Sequence, residues 1–563
     1  MIETLTPQLL MFGLIEATVV ASLLSLLVSV AVLLAYRHRV LRGMAQHAAP
    51  AAGSWPPGPG RQRGASPLYS VAPSASAACA ATRRAAWALV AAGTAFALVF
   101  ACAAVLAFPM LRTAGRFMLA LWVCSWPIVP ALLVSTPAWR RTRVLWVATP
   151  FVLWAAVSLL FGAAAALAPQ RFGPTAVEYF YTITPPQALG AWMFVNAPPT
   201  LMWWLFSHRR LRAVGPLVLG FATALAAGAV ALLTWLLLTA AGARLLASTA
   251  AASGLPPSGV IVMLLGGLML ASGAVGWLFM RAARRAYRAK QANDRSLLLD
   301  ALWLLFAVWY AMVLVIAGLA WLGVAALGFG ACKLTLRLAR QHLPATAGAV
   351  PSLVFLRVFS LGRRSDLLFD RITRYWRHLA SVDLICGPDI VHSTVQPHQL
   401  MDFLAGQLAT HFVADPASLE RRLAERDLAP DADGRHRVNS FYCHADTWTR
   451  VLPALVSGTV VVLMDLRSLT ERHSGCVLEL HHLVAAVPLR CCVFVVDAST
   501  DQAFLLRTLA SAWQAMPADS PNRHLLPASL PVHRLAADEA SMRELLSRLC
   551  AAAQAAQATQ ATR

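Results

Sequence analysis

One acid, Glu479, stands among apolar neighbours in GCVLELHHLVAAV (475–487), a stretch with helical spacing. Just upstream, TVVVLMDL (459–466) is a β-branched run with Asp465 near its end and Arg467 beyond it. CCVFVVD (491–497) closes in the same way on Asp497, and SLVFLRVF (352–359) is followed by Ser360, Arg363 and Arg364. A guanidinium in such a place is a fork-shaped donor that can hold phosphate oxygens in pairs. A carboxylate on a helix is either an ordinary solvated acid or a group held for a task, and Glu479 is open to both readings.

Other chemistries lack their residues. His473, His481 and His482 contain no HxxxH pair, and Cys443–His444 has no partner pattern, so no four-ligand metal site is spelled out. The ten cysteines show no CxxC and no disulfide framework, which fits reduced, buried thiols. Neither GxGxxG nor GxxxxGK[ST] occurs at a strand–helix junction.

The elements that must carry these residues alternate. Five apolar runs, 352–359, 382–386, 459–466, 491–497 and 530–536, read as strands. Amphipathic stretches such as SDLLFDRITRYWRHLA (365–380) and DQAFLLRTLASAW (501–513) read as the helices between them. Alternation of this kind predicts a five-stranded parallel sheet covered on both faces. Its functional groups are expected beyond the carboxyl ends of the strands. The segment 389–440 reads as an insertion with helices and a turn at DADGRHR (431–437).

The rest of the chain is a different material. Of 563 residues 58% are hydrophobic and 13% charged, against about 25% charged in ordinary globular domains. The apolar excess lies before residue 345. A span needs about 20 apolar residues, and candidates run at 9–36, 85–107, 117–137, 144–168, 187–207, 213–238 and 258–280. A further run, 297–332, is long enough for two spans turning near Gly318, which gives about nine in all. The organisation expected is therefore a transmembrane helix bundle over 1–344, with a flexible Pro/Gly/Ser-rich loop near 46–82. An α/β domain over 349–552 and a frayed low-complexity tail over 553–563 complete the chain.

The net charge of +21 does not call for nucleic acid. The soluble part is balanced, with 21 Arg and 21 acids from residue 345 onward, and the surplus flanks the apolar runs. Basic residues beside spans set orientation. The clusters at Arg37–Arg42, Arg140–Arg143, Arg209–Arg212, Arg281–Lys290 and Lys333–Arg340 fall on alternate loops, which predicts a cytoplasmic α/β domain at an inner (plasma) membrane. The bilayer is the expected partner. Only Glu16 lies deep in a predicted span; with Pro127, Pro130 and Pro150 it is the sole argument for transport.

The stretch Gly475-Cys476-Val477-Leu478-Glu479-Leu480, after a VVVLMD strand and a loop with Ser, resembles the middle of a TIR (Toll/interleukin-1 receptor-like) domain. In that family a third strand leads to a helix reading roughly WCxxEL. FLRVFSLGRRSD (355–366) is similar to its first strand and loop, roughly FISYSxxD. Gly475 replaces the family's Trp, Asp465 stands where many members have Ser, and the segment after the second strand is unusually long. The resemblance implies a flavodoxin-like five-strand order, a role in signalling or defence, and self-association. It also implies NAD as a substrate rather than a resident cofactor. Glu479 then contacts the ribose and supports loss of nicotinamide, with Ser360, Arg363, Arg364, Asp465 and Arg467 around the nucleotide. Such bond breaking builds oxocarbenium character, which a nearby carboxylate stabilises. The alternatives are a non-enzymatic membrane-anchored scaffold and, third, a transporter with a regulatory domain.

Overall fold

The computed structural model describes residues 2–47, 74–111, 114–135, 152, 156, 185–207, 211, 215–341, 350–358, 363–387, 397–431, 433–458, 460–526, 530–536 and 538–561. The chain forms two compact units. One comprises Met1–Leu34, Ala86–His342 and Gln396–His398; the other comprises Ala35–Ala85, Leu343–Val395 and Gln399–Arg563.

The first unit is helical. Its elements are α1 (Ile2–Ala45, which continues into the second unit), α2 (Ala75–Ala107, which enters from it), α3 (Ala114–Cys124) and α4 (Ile128–Ser135). They continue with α5 (Pro185–Phe206), α6 (Gly215–Leu238), α7 (Ala240–Ser253), α8 (Pro257–Arg288), α9 (Asp294–Leu314) and α10 (Val324–Gln341). Among the described residues six helices are long and apolar enough to cross a membrane, or seven if the bent pair Gly228–Leu237 and Ala240–Ser253 makes one span. Among the described residues this is fewer than the expected nine. The candidate at 144–168 lies outside the described residues, apart from the isolated positions 152 and 156. α5 carries Pro198 and Pro199 inside it and is not among the six. The turn expected near Gly318 is present. α9 ends in a short 3-10 turn, Gly318 takes φ +138°, and α10 returns as a second apolar helix. Lys333 on α10 reaches Asp300 on α9 at 2.7 Å, which pins the two helices side by side.

The centre of this unit is α9, whose Trp303, Phe306 and Tyr310 are buried. Against it lies a polar knot with a simple cause. Pro127 has no N–H, so the carbonyl four residues back, on Val123, loses its helical donor. Asn196 Nδ2 donates to that carbonyl at 3.1 Å, and Tyr310 Oη donates to Asn196 Oδ1 at 2.6 Å. Trp126 Nε1 donates to Thr200 Oγ1 at 2.7 Å beside it. Freed backbone groups in an apolar medium must be met by side chains. Glu16 is exposed and takes no part in this knot.

The second unit holds β1 (Ser352–Arg357), α11 (Arg363–Trp376), β2 (Val382–Cys386), α12 (Pro397–Leu404, from Gln399 onward), β3 (Phe412–Val413), α13 (Pro416–Ala424) and β4 (Val438–Cys443). It continues with α14 (Trp448–Val456), β5 (Val460–Asp465), α15 (Ser474–Ala486), β6 (Cys492–Val496), α16 (Gln502–Gln514), β7 (Val532–Arg534) and α17 (Glu539–Ala561). The strands form one parallel sheet in the order β3-β4-β2-β1-β5-β6-β7. It has seven strands, not five. The five expected strands are β2, β1, β5, β6 and β7, in that spatial order, and the segment read as an insertion adds β4 and β3 outside β2. VNSFYC (438–443) lacks a strand's apolar pattern because polar residues interrupt it. They are used: Asn439 Nδ2 donates to the buried Asp383 carboxylate of β2 at 2.8 Å, and Arg426 adds a second donor at 3.3 Å.

Both faces of the sheet are covered, as fully apolar strands require. Val354, Leu356, Val462, Met464 and Phe494 pack against α14, α15 and α16. Leu353, Phe355, Leu463, Val493 and Val495 pack against α11 and α17. The tail expected to fray from residue 553 instead continues α17 to Ala561, with Ala553 and Ala556 buried. Most of the loop near 46–82 lies outside the described residues, but α2 already begins at Ala75.

Candidate functional site

In an open parallel sheet the ligand crevice lies at the carboxyl ends of the two strands where the chain order reverses. Here those strands are β1 and β5, because β2 lies on one side of β1 and β5 on the other. The loops and helices that follow them, α11 and α15, bring most of the expected residues to one place.

Asp465 ends β5 with 0% exposure and is held by Arg467, whose Nε and Nη2 each donate to one carboxylate oxygen at 2.7 Å. Arg467 Nη2 also donates to the Arg364 carbonyl at 3.0 Å, tying the β5 loop to the first turn of α11. The Arg364 side chain crosses in the other direction. Its Nη1 donates to Ser468 Oγ at 3.1 Å and to Ser499 Oγ at 3.2 Å, and its Nη2 pairs with Asp497. Burial alone would raise the Asp497 carboxyl. Hydrogen bonds from Ser499 and the charges of Arg364 and Arg467 outweigh it and hold the group below the ordinary carboxylate range. Ser468 sits at φ +57°, a left-handed conformation uncommon outside glycine, in the middle of this network.

Two arginines and two aspartates balance one another here, so the residues differ in what they can offer a ligand. Arg467 and Asp465 form a buried bidentate pair and build the loop. Arg364, whose side chain is 48% exposed, is the donor that an anion can reach. Arg363 opens α11, with its side chain outside the described set, and Ser360 lies outside the described residues altogether. Beneath the network Arg357, the last residue of β1, pairs with Asp366 of α11 at 3.4 Å.

Glu479 lies apart from the hydrogen-bonded group. It faces inward from α15 at 1% exposure, and its Oε2 accepts no hydrogen bond. One turn earlier on the same helix, the Cys476 thiol reaches the Arg357 carbonyl at 3.5 Å, which brings this face of α15 to the end of β1. Burial raises the Glu479 carboxyl from 4.5 to about 8, only partly opposed by Arg357, so the group is protonated at neutral pH. The reading of Glu479 as an ordinary solvated helix acid is therefore overturned.

Ser468, Asp497 and Ser499 are not among the nucleotide-contacting residues the sequence suggests, although Asp497 stands out there as a strand-end carboxylate and all three lie on strand-end loops. Their signal is positional: an aspartate one residue, and two serines three residues, past the ends of adjacent strands. No cluster of metal ligands occurs among the described residues. No protein-family model matches the chain, and no curated protein or solved structure is significantly similar to it.

Proposed function

We propose that the chain is a multi-pass inner-membrane protein whose α/β unit is a cytoplasmic, TIR-like module for signalling or defence. In this reading the module takes an NAD-type nucleotide over the β1 and β5 ends. Arg364 meets a phosphate, and Glu479 is the carboxylate that supports cleavage of the glycosidic bond. The supporting observation is the convergence of Arg364, Ser468 and Ser499 at the reversal point of the sheet, with Glu479 on the helix that follows β5. Catalysis then requires Glu479 to lose its proton and become accessible, which calls for rearrangement of α15 or of the β1 loop on clustering.

A non-enzymatic interaction scaffold is the second reading. The burial of Glu479 favours it, as does the way the arginines are already matched by Asp465 and Asp497. One assay separates the two. The full chain in detergent is incubated with NAD at high protein density, and nicotinamide is measured for the native protein and for Glu479→Gln. Release by the native chain alone supports cleavage. Equally negligible release from both leaves the scaffold.

A further inference from the structure

The α/β unit includes a piece of the first helix. α1 is unbroken from Ile2 to Ala45, and its buried positions follow one face: Ala21, Ser25, Ser29 and Leu33 in the helical unit, then Tyr36, Val40 and Met44 in the α/β unit. The spacing of four along Tyr36, Val40 and Met44 is that of a helix lying along a surface.

That surface is the carboxyl end of β4 with its neighbours β3 and α12. Tyr36 Oη and Tyr442 Oη share a hydrogen bond of 3.0 Å, and the Tyr36 ring meets Phe403 edge-on. The Gly43 carbonyl accepts from His444 Nδ1 at 2.7 Å, which fixes the proton on that nitrogen. The Gln46 carbonyl accepts from the Ala445 N–H at 3.2 Å. Gly43 is needed for this approach: a Cβ there would lie 2.7 Å from the Phe412 ring. Two of these three bonds use carbonyls at the very end of α1, groups left without helical donors.

We propose that residues 36–46 form a mechanical latch through which the first membrane helix sets the position of the β3–β4 edge. A continuous helix is stiff along its axis, with 1.5 Å of rise per residue, and no flexible joint separates the apolar part of α1 from Tyr36. When the bilayer shifts or tilts α1, the latch either carries the β3–β4 edge with it or opens. Packed interfaces respond to such a load by switching between discrete arrangements rather than by stretching. The inference does not depend on the nucleotide reading.

The test uses the full chain in nanodiscs of short-chain and of long-chain phosphatidylcholine, with hydrogen exchange followed at residues 438–446 and, as an internal control, at 460–465 in β5. In the native protein, exchange at the Ala445 amide and its neighbours differs several-fold between the two discs while β5 stays constant. In Gly43→Leu the latch is open, exchange at 438–446 is fast in both discs, and the difference disappears. Should Gly43→Leu aggregate, Tyr442→Phe removes only the shared hydroxyl bond and reduces the difference. Equal exchange of the native protein in thin and thick discs overturns the proposal. So does a Gly43→Leu protein that keeps the native response.

Discussion

Glu479 combines near-complete burial with a carboxyl raised to about 8, and the consequence for stability has a definite sign. Between its ordinary value near 4.5 and its folded value, the folded chain holds a proton that the unfolded chain has released. Stability therefore falls as pH rises through that window and levels off above it. Each unit of the shift is worth about 1.4 kcal/mol. Glu479→Gln has no such proton to lose. Thermal melts of the full chain between about pH 5 and about pH 9 should show the variant gaining on the native protein toward the alkaline end. Parallel pH profiles would remove the buried carboxylate from the account. Asp465 is held in a buried bidentate pair with Arg467. Asp465→Asn strands the guanidinium of Arg467 and should cost about 3–5 kcal/mol, whereas Asp465→Asn with Arg467→Met should recover most of the loss. Chemical denaturation of the two variants measures the difference.

At the scale of elements, the prolines of the helical unit act through the carbonyls they release. Pro127 frees Val123, and Asn196 and Tyr310 answer it. This accounts for a buried Asn and a buried Tyr hydroxyl without a transport path, and Glu16, the one deep carboxylate of the sequence, is exposed instead. Asn196→Val should destabilise the helical unit by about 0.6–2 kcal/mol. Pro127→Ala in the same chain should restore part of this by giving Val123 back a helical donor. Unfolding in mixed micelles reads both steps. Equal stability of Asn196→Val with and without Pro127→Ala would mean that the longer contacts to the same carbonyl, from the Trp126 N–H at 3.5 Å and Tyr310 Oη at 3.4 Å, already satisfy it. In the α/β unit the corresponding device is Asp383, whose carboxylate joins β2 to β4 through Asn439. A buried polar pair specifies which strand lies beside β2, where apolar residues alone would accept several neighbours.

At the scale of the whole molecule, the α/β unit is not a contiguous carboxyl-terminal domain. Residues 35–47 and 74–85 belong to it, with Ala78 of α2 in the core beside α11 and α17, and Tyr36, Val40 and Met44 of α1 buried. A fragment beginning near residue 345 lacks these pieces, so activity is best assayed on the full chain. The sidedness proposed for the unit rests on the arginine clusters. A reporter active only in the periplasm, fused after Arg340, should stay silent, and a signal from it would reverse the orientation.

Composition and periodicity by themselves determined the division into an apolar helical part and a charged α/β part, the hairpin turn at Gly318, and the five strands β1, β2, β5, β6 and β7. Each of these depends on a local pattern: apolar run length, β-branched runs between turn residues, or a glycine between two apolar helices. Only the tertiary structure decided that β4 and β3 extend the sheet, because VNSFYC becomes apolar in effect once Asn439 meets Asp383 from another strand. The burial of Glu479, the matching of Arg467 by Asp465, and the inclusion of residues 35–47 in the α/β unit were likewise beyond local reading. A charge's partner, and the surface a helix end meets, are set by chain segments tens to hundreds of residues away.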